Sequence, residues 1–167
     1  MIRQLIFILL LVSSCTSGQN SSTEASLTKP KVLIDAEKMI AAFIRKDFRT
    51  YSDFVYPLLI ERQGGKEKFI RALEEAKLFQ GDSLHNIQLS NPSKAIECNG
   101  VLQCSLKETT TMSFGNDKPI SFSSNLIGFS SDLGKSWTFL NVSDKSILEI
   151  QKEFPTVCDS LDLSKLK

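Results

Sequence analysis

A single histidine, His85, stands in 167 residues, with no Cys-x-x-Cys pair and no second histidine near it, so nothing has the spacing of a zinc site and no metal is expected. An excess of one charge is missing too: 20 Lys and Arg face 19 Asp and Glu without a basic run, which argues against a nucleic-acid partner. The longest apolar run, Leu5 to Val12, would rise about 12 Å as a helix, at roughly 1.5 Å per residue, against a hydrocarbon core of about 30 Å. It is too short to span a bilayer. No internal repeat is visible, no cofactor motif is present, and no constellation of side chains specifies a reaction.

What is present begins at the N-terminus. One positive charge at Arg3, the run Leu5 to Val12 and two small residues before Cys15 follow the order of a signal peptide. Val12-Ser13-Ser14-Cys15 resembles the lipobox of bacterial lipoproteins. The resemblance implies lipidation of the Cys15 sulfur and cleavage before it, leaving the two or three acyl chains that stable anchoring needs. Residues 1–14 are then the signal. Residues 15–30, rich in Ser, Thr, Gly, Gln and Asn, are expected to be a lipidated flexible tether, because they cannot bury enough surface to offset their ordering entropy. Thr16 is not the Asp that retains many such proteins in the inner membrane, which favours the periplasmic face of the outer membrane. Residues 31–167 are long enough for one domain with a real core. Arg3 leaves with the signal, so the mature chain has no net charge.

Three cysteines remain after Cys15: Cys98, Cys104 and Cys158. In an oxidising compartment at most one internal disulfide forms and one thiol is left over. Cys98 and Cys104 are spaced to bridge a hairpin, yet a two-residue turn at Asn99-Gly100 would put them on opposite faces of the ribbon. The connectivity stays open.

The spacing of Ala36, Met39, Ile40, Phe43 and Ile44 predicts a helix over 35–47. A short helical pattern over 48–55 stops near Tyr56, because Pro57 biases its predecessor away from the α region. After Gly64-Gly65, residues 66–79 form the best helical pattern, with Phe69, Ile70, Leu73, Ala76 and Leu78 or Phe79 toward a core. Beyond Gly81 the period changes to two. Strands are predicted at 84–89, 95–98, 101–114, 119–129 and 136–142, joined as an antiparallel meander, before a helix over 146–153 and an irregular tail.

Helices first and strands afterwards read as α+β, with the helices covering one face of a curved antiparallel sheet. The order of elements over 32–154, the Tyr56-Pro57 break, the Gly64-Gly65-Lys66-Glu67-Lys68 helix start and the last hairpin resemble the NTF2-like (SnoaL-like) cone fold. That group includes polyketide cyclases and ketosteroid isomerase. The resemblance implies a cavity between helices and sheet.

Ser130-Ser131-Asp132-Leu133-Gly134-Lys135-Ser136-Trp137 resembles the Asp-box hairpin of sialidases and other β proteins. A carboxylate there accepts backbone N–H groups, Gly134 supplies a positive φ and Trp137 packs over the loop. Ser130, Asp132, Gly134 and Trp137 are therefore expected to hold a turn. A sialidase would need several such repeats and an arginine cluster. His85 as a general base, or a carboxylate such as Asp53, Glu61, Asp82 or Glu97 beside Tyr51 or Tyr56, would be needed for acid/base work, but none matches the isomerase pattern. No catalytic residue is assigned.

The expectation is a membrane-tethered cell-envelope domain, held through lipidated Cys15, that binds a small hydrophobic ligand or an envelope protein without catalysis. The alternative is a small cone-fold enzyme, isomerase-like or cyclase-like, acting on a hydrophobic substrate. The enzyme needs at least two convergent ionisable groups in one pocket. A third reading, an interaction module whose exposed sheet face engages protein, needs a filled cone and one contiguous exposed apolar patch larger than about 400 Å². The candidate ligand pocket combines Tyr51, Phe54 and Tyr56 from the helices with Phe122 and Trp137 from the sheet, with a small amphiphile as occupant.

Overall fold

A computed structural model describes residues 29–76, 82–115, 117–143, 145–161 and 163. The signal, Cys15 and nearly all of the tether lie outside these residues, as do Leu78 and Phe79.

Helix α1 (Lys31–Ile44) starts four residues earlier than its apolar pattern suggests. The carbonyl of Pro30 accepts the N–H groups of Leu33 and Ile34 and opens the helix. Its inner face carries Val32, Asp35, Ala36, Met39 and Ala42. Asp35, which looks like a helix start in the sequence, is buried, because its carboxylate accepts the backbone N–H of Trp137 at 3.2 Å and also pairs with Lys31. Helix α2 (Phe48–Asp53) is capped by Asp47, whose side chain accepts Thr50 N–H at 3.1 Å.

Pro57 does more than stop a helix: it occupies the first turn of a further one, α3 (Pro57–Arg62), where its missing N–H and preset φ cost nothing. Gly64 and Gly65, at φ of 87° and 96°, then turn the chain into α4 (Lys66–Glu75). Ile70 is buried there and Phe69 and Leu73 half-buried, but Ala76 is exposed just past the helix end.

Five strands follow: β1 (Asp82–Leu89), β2 (Ile96–Cys98), β3 (Val101–Phe114), β4 (Ile120–Ser130) and β5 (Thr138–Val142). They form one antiparallel sheet in the order β1-β3-β4-β5. The expected meander is corrected at its start: β1 does not pair with β2. Both lie along the same edge of β3, β1 on residues 108–114 and β2 on 101–103. Ser90 and Ser93 bridge the gap, each accepting a β3 backbone N–H on its hydroxyl, from Lys107 and Ser105. Asn99 and Gly100, both at positive φ, make the two-residue turn from β2 to β3. Helix α5 (Ile147–Glu153) closes the fold, with Ser146 and Glu149 forming a reciprocal capping box.

The chain is thus α+β, with N-terminal helices packed on an antiparallel sheet. One refinement is needed: helices do not cover a single face. Val32, Ala36 and Met39 of α1 pack on Cys104, Leu106, Leu126, Trp137 and Phe139. On the opposite face Ile127, Phe129, Leu140 and Val142 are covered by Ile150, Phe154, Val157, Cys158 and Leu161. The C-terminal segment, expected to be irregular, is irregular in backbone yet supplies core. It is held there by a Cys98–Cys158 disulfide and by the Gln103 side chain, which donates to Thr156 O and accepts from Cys158 N–H. Among the described residues Cys104 is the free cysteine, buried on the other face of β3. The two-residue turn forbids its pairing with Cys98.

Candidate functional site

Alternation along β3 puts Leu106, Glu108, Thr110 and Met112 on one face, and the register with β4 sets them beside Leu126, Ser124, Phe122 and Ile120. The helices α1 to α3 do not close down fully on this half of the sheet. Between them lies a cavity of about 240 Å³, walled by Met39, Ile40 and Phe43 from α1, Tyr51 from α2 and Val55 and Leu59 from the next turn. The sheet contributes Leu84, Ile87, Glu108, Thr110, Met112, Phe122, Leu126, Phe139 and Asn141. That volume suits a small molecule and falls below the usual span of drug-sized pockets.

The wall is mostly apolar, but two ionisable groups share it. Tyr51 is wedged between Phe43, at 5.1 Å between ring centroids, and Phe69, at 6.3 Å in a stacked arrangement. Burial pushes its phenol up to about 12, and the negative charge of Glu108 adds to the effect. It therefore remains a neutral O–H donor. Burial likewise raises Glu108 above the ordinary carboxylate range, opposed by the hydroxyl of Thr110, which donates to Oε1 at 3.3 Å. No basic side chain among the described residues lies within ion-pairing distance of Glu108. Tyr51 and Glu108 are not hydrogen-bonded to each other. Asn141 donates its amide to Ser124 at 3.1 Å, leaving its oxygen as an acceptor.

At the outer end of this sheet face three large apolar side chains meet solvent: Phe114, Ile120 and Phe122, 44%, 52% and 45% exposed. All three share the face of Glu108, so the cavity is continued outward by apolar surface.

Of the five residues expected to line a pocket, the structure brings Tyr51 and Phe122 together here. The other three are elsewhere. Tyr56 turns around the sheet edge, stacks on Phe129 at 4.1 Å and bonds Thr156 at 2.7 Å, so it borders a groove of about 300 Å³ on the opposite face. Phe54 is half-buried against the α1 cluster, and its carbonyl accepts Phe139 N–H to extend the sheet edge. Trp137 is buried, with its indole N–H on the carbonyl of Gly134.

The Ser130–Trp137 turn is built as its sequence implies. Asp132 Oδ1 accepts from Ser130, Lys135 N–H and Ser136 N–H, while Oδ2 accepts the Ser136 hydroxyl at 2.6 Å. These bonds, led by that of the Ser136 hydroxyl, hold the carboxyl far below the usual range. His85 is exposed and bonds Ser113, on the other face of β3 from Glu108. Asp53 pairs with Lys66, and Glu61 and Glu97 are exposed.

Glu108 was not among the candidate residues, although a signal existed: period two places it between Leu106 and Met112, on an inward face. Thr110 shares that period-two position, whereas Asn141 carries no comparable mark. Among the described residues no group of three or more His, Cys, Asp or Glu is placed to hold a metal ion, and no described helix is long and apolar enough to cross a membrane.

No family model matches the chain, and no curated protein matches it. Among solved structures, one of a protein from Catenulispora acidiphila in complex with S-DNPA is similar over 68% of this chain and 87% of that one, at 15% identity and a TM-score of 0.46. So distant a likeness says nothing about the ligand of this chain.

Proposed function

We propose that this protein is a lipid-anchored domain of the cell envelope that binds a small amphiphile between its helices and its sheet, as a carrier or sensor rather than a catalyst. The observation that carries this reading is the cavity itself, an apolar enclosure with a few inward polar groups and an apolar approach along Phe114, Ile120 and Phe122. Export is supported by the Cys98–Cys158 disulfide, a bond that persists in oxidising compartments. The anchor rests on the lipobox-like Val12-Ser13-Ser14-Cys15, and its membrane on Thr16.

A cavity rather than a filled interior counts against a pure interaction module. The enzyme reading has one observation in its favour: Tyr51 and Glu108 share the cavity. It requires that a substrate join them, since no hydrogen bond does. Native mass spectrometry of the Cys15→Ala chain, which carries no acyl group, tests ligand binding. A co-purifying small molecule that is lost on Leu126→Trp substitution in the cavity wall is the expected result. Clean apo protein that takes up no amphiphile would refute it. The anchor is tested separately, since the same Cys15→Ala chain should leave the membrane fraction.

A further inference from the structure

The cavity lining holds one carboxyl group and no basic side chain. Glu108 supplies that carboxyl, with a long Thr110 hydroxyl contact as its hydrogen bond. Asn141 donates one amide N–H to Ser124, and its side-chain oxygen is a further acceptor. Around these acceptors stand aromatic side chains from four different elements: Phe43, Tyr51, Phe122 and Phe139. A carboxylate held in such surroundings without a cation is destabilised unless something pairs with it.

We infer that the occupant of this cavity is a small organic cation, an amine with an apolar body, whose ammonium group pairs with the Glu108 carboxylate while its body packs on the aromatic and aliphatic wall. The inference rests on the ligand-binding reading above and adds the chemical class. An ammonium group has three donors, and the Glu108 carboxylate, the Asn141 amide oxygen and the Tyr51 hydroxyl oxygen are all able to accept from it. Aromatic rings attract a cation through their quadrupole, and more strongly when water is excluded. An alcohol could donate one hydrogen bond to Glu108 but would leave its charge uncompensated. A fatty acid would bring a second negative charge beside the first.

The pH behaviour follows from which groups face the carboxylate. The lining residues of α1, of β1, of β4, of β5 and of the 55–59 segment do not titrate, and α2 contributes Tyr51, neutral up to about 12. Glu108 alone changes charge across the acid and neutral range, and burial raises its titration above the ordinary carboxylate value.

Octylamine, 1-octanol and octanoate share one apolar body and differ in the head group. Each is titrated calorimetrically into the Cys15→Ala chain and into the same chain carrying Glu108→Gln. Octylamine should bind roughly tenfold tighter than octanol at neutral pH, the margin of a charge-assisted over a neutral hydrogen bond. Octanoate should bind weakest. Glu108→Gln should abolish the preference for octylamine and keep octanol binding, which shows that the variant is folded. Acidification of the unsubstituted protein should weaken octylamine while leaving octanol unchanged, a second readout that needs no variant. Octanol binding as tightly as octylamine, or a preference that survives Glu108→Gln or acidification, overturns the inference and spares the ligand-binding reading. If none of the three binds, both fall.

Discussion

The disulfide offers the sharpest quantitative test of the fold. Cys98 ends β2 and Cys158 follows α5, 60 residues on, with their Cα atoms 6.1 Å apart. Replacing both by alanine releases a long loop in the unfolded chain. The loop-closure entropy for that separation corresponds to about 4 kcal/mol at 25 °C. The native state should change far less, because Gln103 still accepts the N–H of residue 158 at 3.0 Å and donates to Thr156 O at 2.7 Å, and Val157 and Leu161 stay buried. The loss should therefore act through the unfolded ensemble. Equilibrium urea denaturation is the assay. The midpoint should fall and the slope should rise, since an uncrosslinked unfolded chain exposes more surface. A domain of this size has roughly 5–15 kcal/mol to lose, so the variant should fold but marginally. Non-reducing peptide mapping provides the control, with one crosslinked peptide joining Cys98 to Cys158. A stability loss below about 1 kcal/mol, against the ~4 kcal/mol expected from loop closure, would refute the entropic account. A Cys98–Cys104 crosslink would refute the register of the β2-β3 turn.

Three further outcomes are expected. A Cβ at Gly128 would meet Trp137, Phe139 and Val32 at 3.2 to 3.3 Å, so Gly128→Val should lower stability by about 1–3 kcal/mol through overpacking; a chemical denaturation curve as stable as the parent's would show that α1 sits less closely on β4. At Gly134 only ordinary contacts await a Cβ, but φ is 85°, so Gly134→Val should cost about 1–3 kcal/mol from backbone strain alone, with amphiphile binding intact; unchanged thermal unfolding together with lost binding would move the turn from structure to function. Glu108 has a folded pKa above its ordinary value of 4.5, so the folded state holds the proton more tightly than the unfolded state. Its contribution is then favourable in acid and is lost as pH rises from the unfolded value through the folded one. Tm measured against pH should show Glu108→Gln gaining on the parent above that window, and a gain confined to acid pH would reverse the assignment.

Local signals made much of this architecture readable. The period-3.6 pattern of α1 and α4, the period-two runs of the strands, the Asn99-Gly100 turn and the Ser130–Trp137 turn each act within a few residues, so the chain states them directly. Even Pro57 was legible as a break, though a proline reads equally well as an end or as a start, and here it is both. The boundary at Asp35 misled for a related reason. A carboxylate near a helix start usually caps it, whereas this one is drawn inward by the N–H of Trp137, 102 residues away.

The sequence by itself determined the balance of charge, the α+β order and the turns, because these depend on composition and on neighbours along the chain. Only the tertiary structure decided that Cys158 rather than Cys104 meets Cys98, that Tyr56 passes to the far face while Tyr51 stays inside, and that Glu108 shares Tyr51's cavity. Each of those outcomes depends on which strand face meets which helix. Alternation defines two faces for every strand, but which one is buried, and against what, is set only when β3, β4 and the helices pack together.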